Sequence, residues 1–154
     1  MSSMVLIREF LGQKRIAVVG VSREAKDFSR TLYSELRHRG YDVVPVNPEA
    51  TEIDGQKCFA QLRDIQPPVD GVLVMTPHDV TGQVVRECAE SGIKRVWMYR
   101  AGGKGAVDRD AVRFCRSCGI AVIPGECPFM FLSDAGWFHR LHGGWRKVFG
   151  GYPH

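Results

Sequence analysis

The stretch Ile16–Ser29, IAVVGVSREAKDFS, sets a glycine, two hydroxyls and two cations in one short segment, with a third cation at Arg30. Gly20 permits a tight turn and lets a ligand approach the backbone closely. Val21 follows, and Ser22 offers a hydroxyl where the second glycine of a G-x-G-x-x-G fingerprint would sit. Arg23, Lys26 and Arg30 add positive charge, and Ser29 could cap the following helix or donate to the same ligand. A helix that starts here points free N–H groups and its positive dipole end at the turn. These residue types in this order suit phosphate. The plainer alternative is a strand, a turn and a helix with solvated charges.

The elements that must position this loop alternate along the chain. The first 15 residues read as a short amphipathic helix. Ile16–Gly20 is a β-branched run without a polar residue, as in a strand buried on both faces. Phe28–Arg39 places Phe28, Leu32, Tyr33 and Leu36 at helical spacing, and Gly40 stops it. Further strands are expected at Tyr41–Pro48, around Lys57–Phe59, and at Val69–Pro77, Lys94–Tyr99 and Ile120–Pro124. Helices are expected at His78–Ser91 and Ala106–Cys118. This alternation implies an α/β fold of three layers, a parallel sheet of about five strands in the order 3-2-1-4-5 with helices on both faces. Ligands in such sheets bind where the strand order reverses, beyond the carboxyl ends of the strands. That nominates the Gly20 loop and the loop of Thr76, Pro77 and His78, with Asn47-Pro48 and Cys127-Pro128 on the same rim.

A nicotinamide dinucleotide needs an acid at the end of the second strand to hold the ribose diol, and this chain has Val46, Asn47 and Pro48 there. A lysine-bearing loop without that acid suits a ligand with more phosphate, such as one with a 3′-phosphate on its ribose. The segments IAVVGVSREAKDFSRTLYSELRHRGYDVVPVNP, VDGVLVMTP, ESGIKRVWM and GECP resemble the stand-alone CoA-binding domain family over about residues 5–130. That family is similar to the nucleotide-binding domain of the succinyl-CoA synthetase α subunit and of ADP-forming acyl-CoA synthetases. The resemblance implies a Rossmann-like fold that holds coenzyme A. It puts Gly20, Ser22, Lys26 and Ser29 in the phosphate loop and Asn47 and Pro48 near the adenosine. Thr76 and Pro77 would form the facing wall, with Cys127 and Pro128 at the far rim. The chain departs from the family at Trp97–Ala106, WMYRAGGKGA, where Arg100 and Lys104 make the loop more basic. That loop could be a mobile flap, an extra anion contact or a solvated connection.

The remaining signals bound the function. Cys127 could exchange disulfides with a CoA thiol or fill space beside a proline turn. Cys115-x-x-Cys118 has a redox spacing, but it lies at a helix end, where a thiolate is not stabilised. His78 could touch phosphate or be a polar first-turn residue. No rim residue supplies an evident acid–base pair, so the expected role is a binding module for CoA or an acyl-CoA. The alternatives are an NAD(P)-dependent oxidoreductase using the same rim and an interaction protein acting through its tail. The core is expected to close near Pro128, within a domain of residues 1–132. The tail 133–154 interleaves Trp137, Phe138, Leu141, Trp145, Val148 and Phe149 with basic residues, and would pack on its own domain or on a second copy. His139 and His142 have no visible third metal ligand. The net charge of +4 across 154 residues is too small to indicate nucleic acid, and no apolar run approaches the ~20 residues of a membrane span. Five cysteines, an odd number without a secretory signal, fit a reduced cytoplasmic protein.

Overall fold

The computed structural model describes residues 3–132 except Gly102. Helix α1 (Ser3–Leu11) leads into strand β1 (Arg15–Val19), helix α2 (Phe28–His38) and strand β2 (Asp42–Val46). A small hairpin of β3 (Glu52–Ile53) and β4 (Gln56–Lys57) follows. Then come β5 (Gly71–Val74), α3 (His78–Glu90), β6 (Arg95–Met98), α4 (Arg109–Ser117) and β7 (Ala121–Pro124). The five long strands form one parallel sheet in the order β2-β1-β5-β6-β7. Its reversal lies between β1 and β5, as the alternation of elements predicts.

The sheet is apolar on both faces because each strand alternates between two cores. Ile16, Val18, Leu73 and Trp97 face α1 and α2, while Ala17, Val19, Val72, Val74 and Val96 face α3 and α4. α2 buries Leu32, Tyr33 and Leu36 but leaves Phe28 40% exposed, although its spacing assigns it to the same stripe. In α3 the buried stripe is Thr81, Val84, Val85 and Cys88.

Three expectations are corrected. The third strand, expected beside the second around Lys57–Phe59, shrinks to a single parallel bridge between Val46 and Phe59. Pro45 accepts a hydrogen bond from the Phe59 N–H through its carbonyl but has no N–H to return, so the ladder stops there. The fifth place in the sheet is taken by β7 at the other edge. α4 starts at Arg109, not Ala106, because the Asp108 carboxylate accepts from the Ala111 N–H and fixes the cap. Nor does the core close at Pro128. Leu132 is 1% exposed and its carbonyl accepts from Arg39 Nη1 at 2.7 Å, so the turn at 129–132 belongs to the domain. The tail, with His139 and His142, lies outside the described residues.

Candidate functional site

The loop Gly20–Asp27 joins β1 to α2 at the reversal. Gly20 has φ +100, and a Cβ there would stand 2.9 Å from the carbonyl carbon of Met75 and 3.1 Å from the Thr76 nitrogen. Only a residue without a side chain lets the two loops beyond β1 and β5 approach this closely. Val21, fully buried, anchors the loop into the core.

The polar groups of the loop divide into those that brace it and those that face outward. Asp27, not Ser29, caps α2: its carboxylate accepts from the Ser29 N–H at 2.9 Å and the Ser29 hydroxyl at 2.6 Å. These two bonds hold the Asp27 carboxyl below its ordinary range. Ser29, 4% exposed, also accepts from the Ser22 N–H at 2.9 Å, so its hydroxyl latches the loop internally. The Ser22 hydroxyl accepts from the Glu24 N–H. Arg30 is not a free cation: it donates to the carbonyls of Ser22 and Arg23 and pairs with Asp54 in the β3–β4 turn. Asn47 donates from Nδ2 to the Val21 carbonyl at 2.8 Å and accepts from the Glu49 N–H, clamping the end of β2 to the loop. Pro48 is exposed next to it.

What faces solvent is a short run of donors. Arg23, Ala25 and Lys26 are exposed, and among the described residues their backbone N–H groups have no hydrogen-bond partner. Lys26 likewise has no ion pair there, and Arg23 makes a loose one with Glu49 at 4.0 Å. Exposed N–H groups without partners beside an ammonium suit an anion.

The facing loop is mostly committed to the fold. The Thr76 hydroxyl lies 3.1 Å from that of Thr81, which donates to the Ala106 carbonyl at 2.7 Å. Pro77 occupies the N-cap position of α3. His78 lies on the other side of that loop, lining a groove of about 550 Å³ with Lys104, Asp108, Arg109 and Arg113. The basic loop after β6 is tied down at both ends, by the Tyr99 N–H to Val74 and the Ala106 N–H to Tyr99. At the far rim, Trp97 Nε1 donates to the Gly125 carbonyl at 2.8 Å and fixes the turn that presents Cys127. Cys127 is half-buried and Pro128 is buried. The Tyr99 hydroxyl lies against the Cys127 thiol, and burial, then that neighbour, raise its pKa above the ordinary value. Cys115 is buried, which pushes its thiol up to about 11, whereas Cys118 is exposed.

The structure therefore brings Gly20, Ser22, Lys26, Ser29 and Asn47 together around one loop, and sets Cys127 further along the same rim. Sequence reading missed Asp27 and Asp54. An Asp immediately before an apolar helical stripe is itself an N-cap signal. The Arg30–Asp54 pair, 24 residues apart, leaves no local signal.

An open parallel sheet with a glycine turn and outward donors at its reversal defines a nucleotide-binding α/β domain. The chain matches the family described as CoA binding domain over residues 14–133, and it belongs to that family. It is 31% identical to Uncharacterized protein YneT of Bacillus subtilis over 122 residues, which cover 79% of this chain and 87% of that protein. It is 28% identical over 126 residues to Acetate--CoA ligase [ADP-forming] II subunit alpha of Pyrococcus furiosus. Among solved structures, a hypothetical protein from Pyrococcus horikoshii superposes with a TM-score of 0.79 at 26% identity, covering 88% of this chain and 92% of that one. The chain spans 27%, 15% and 13% of the lengths of the acetate–CoA ligases of P. furiosus, Archaeoglobus fulgidus and Methanocaldococcus jannaschii that it matches. Family membership ties the chain to coenzyme A. No helix among the described residues is long and apolar enough to cross a membrane.

Proposed function

We propose that this chain is a binding module for coenzyme A or its thioesters, with the phosphates received by the Gly20–Lys26 loop and no catalysis of its own. The observation that carries this reading is the division of labour in the loop. Asp27, Ser29, Arg30 and Asn47 satisfy its inward groups, which leaves the Arg23, Ala25 and Lys26 N–H groups and the Lys26 ammonium for an anion. The phosphate rests on loop donors more than on the helix terminus, because the Asp27 carboxylate already accepts the Ser29 N–H there. Asn47 and Pro48 border the adenosine side, Thr76 and Pro77 the facing wall, and Cys127 and Pro128 the thiol end.

Calorimetric titration with CoA, dephospho-CoA and NAD⁺, repeated on Lys26→Ala, tests the reading. CoA binds above the other two, and Lys26→Ala weakens it by about ten- to 150-fold, as loss of a charged hydrogen bond of about 1.5–3 kcal/mol predicts. Equal binding of CoA and dephospho-CoA would reduce the site to a general ADP site. Binding of NAD⁺ without CoA would overturn the proposal in favour of an oxidoreductase.

A further inference from the structure

Phe28 is the first residue of α2 and follows the phosphate loop without a break, yet its ring is 40% exposed. It is not isolated. Its centroid lies 5.6 Å from that of Tyr99 and 5.5 Å from that of Phe129. Tyr99 follows β6, and its hydroxyl lies against the Cys127 thiol beyond β7. The three rings make one ledge that starts at the N-terminus of α2 and crosses the ends of β6 and β7. In the order β2-β1-β5-β6-β7 this ledge is on the opposite side of the Gly20 loop from Asn47. A single exposed apolar residue needs no explanation, but a cluster of rings contiguous with an anion site does.

We infer that the site is built for a thioester of CoA carrying a bulky apolar acyl group, of phenyl size, seated on Phe28, Tyr99 and Phe129. This rests on the CoA reading above. A ligand whose phosphates sit on the Gly20–Lys26 loop has two directions to run. One passes the amide of Asn47, itself bonded to backbone on both its polar atoms, and suits the polar nucleoside. The other passes the ring ledge and suits the uncharged arm and its acyl end. Aromatic pairs prefer centroid separations of about 4.5–7 Å, the range Phe28 already keeps with Tyr99 and Phe129, and its exposed part is what remains for a ligand ring to meet.

The full chain is titrated with CoA, acetyl-CoA and benzoyl-CoA. Benzoyl-CoA is expected to bind about tenfold more tightly than CoA, with acetyl-CoA close to CoA, a gain in keeping with an added aromatic contact and its buried area. In Phe28→Ala the ratio of the CoA and benzoyl-CoA dissociation constants falls to about one, while Phe28→Tyr restores it. A far-ultraviolet melt of each variant confirms that it folds. Equal affinity of the wild-type chain for all three ligands would overturn the inference and leave CoA binding standing. So would a preference that survives Phe28→Ala. A change in mass in solution on Phe28→Ala with selectivity intact would assign the ledge to a second copy, which also overturns it. Failure of all three ligands to bind would remove the CoA reading itself.

Discussion

Replacing Gly20 by alanine separates two reasons for a glycine at the strand reversal, when set against the same change at Gly92. Both glycines have positive φ, +100 at Gly20 and +74 at Gly92. An L-residue in that region costs about 1–2 kcal/mol whatever the space around it. At Gly92, just after α3, a Cβ meets nothing within 4 Å, so this strain is the whole cost. At Gly20 the new Cβ would lie 2.9 Å from Met75 carbonyl carbon, 3.0 Å from its oxygen and 3.1 Å from the Thr76 nitrogen. Carbon–carbon contacts are comfortable only near ~3.5–4.0 Å, so the loops must part by several tenths of an ångström. All three atoms are backbone, and the Met75 N–H is bonded to the Val19 carbonyl at 2.8 Å, so none can swing aside as a side chain would. Overpacking of this kind costs a further ~1–3 kcal/mol. Urea denaturation should therefore place Gly20→Ala about 1–3 kcal/mol below Gly92→Ala at equal m-values. Equal midpoints for the two variants would refute the claim that the β1 and β5 loops are held in contact at Gly20.

The other predictions address charge and thiols. Asp27 has a folded-state pKa below that of the unfolded chain, so it contributes stability above the unfolded value of 3.8 that is lost as the pH falls through the folded value. Asp27→Ala should lower stability at neutral pH by about 1 kcal/mol, the usual cost of an N-cap, and flatten the acid limb of the stability profile below pH ~4. Asp54→Ala removes the partner that holds Arg30 against the loop carbonyls and should weaken CoA binding by loosening the loop donors, read by calorimetry as a raised dissociation constant. Alkylation at pH ~8 should modify Cys118 first and Cys127 next, and spare Cys88 and Cys115, whose thiols burial pushes above their ordinary range. Early modification of Cys115 would reopen the redox reading of the Cys115–Cys118 pair.

The architecture was legible because its signals are local. The apolar runs around Ala17, Val44, Leu73 and Trp97 are bounded by glycine or proline, and the helices between them carry apolar residues at 3.6 spacing. The misread elements have equally local causes whose consequence is not local. Pro45 reads as part of a strand, and it is one, but its missing N–H falls on the outer edge, where it ends the sheet. Ala106 and Val107 extend the apolar spacing of α4 backwards, whereas Ala106 is buried in the loop that closes on Tyr99.

The candidate site divides along the same line. Residue types announced an anion loop with three cations, Arg23, Lys26 and Arg30, of which the family resemblance singled out Lys26. The fold makes them unequal. Arg30 is bonded to two loop carbonyls and to Asp54, so it braces the loop. Lys26 has no ion pair among the described residues, which is why the proposed site assigns it the phosphate charge. Phe28 shows the same limit from the apolar side: its spacing belongs to the core, but the first residue of a helix sits at the rim, so the end of the buried stripe is left partly exposed. What a sequence conceals here is which groups are already spoken for, and in this loop that allocation separates the brace from the binding surface.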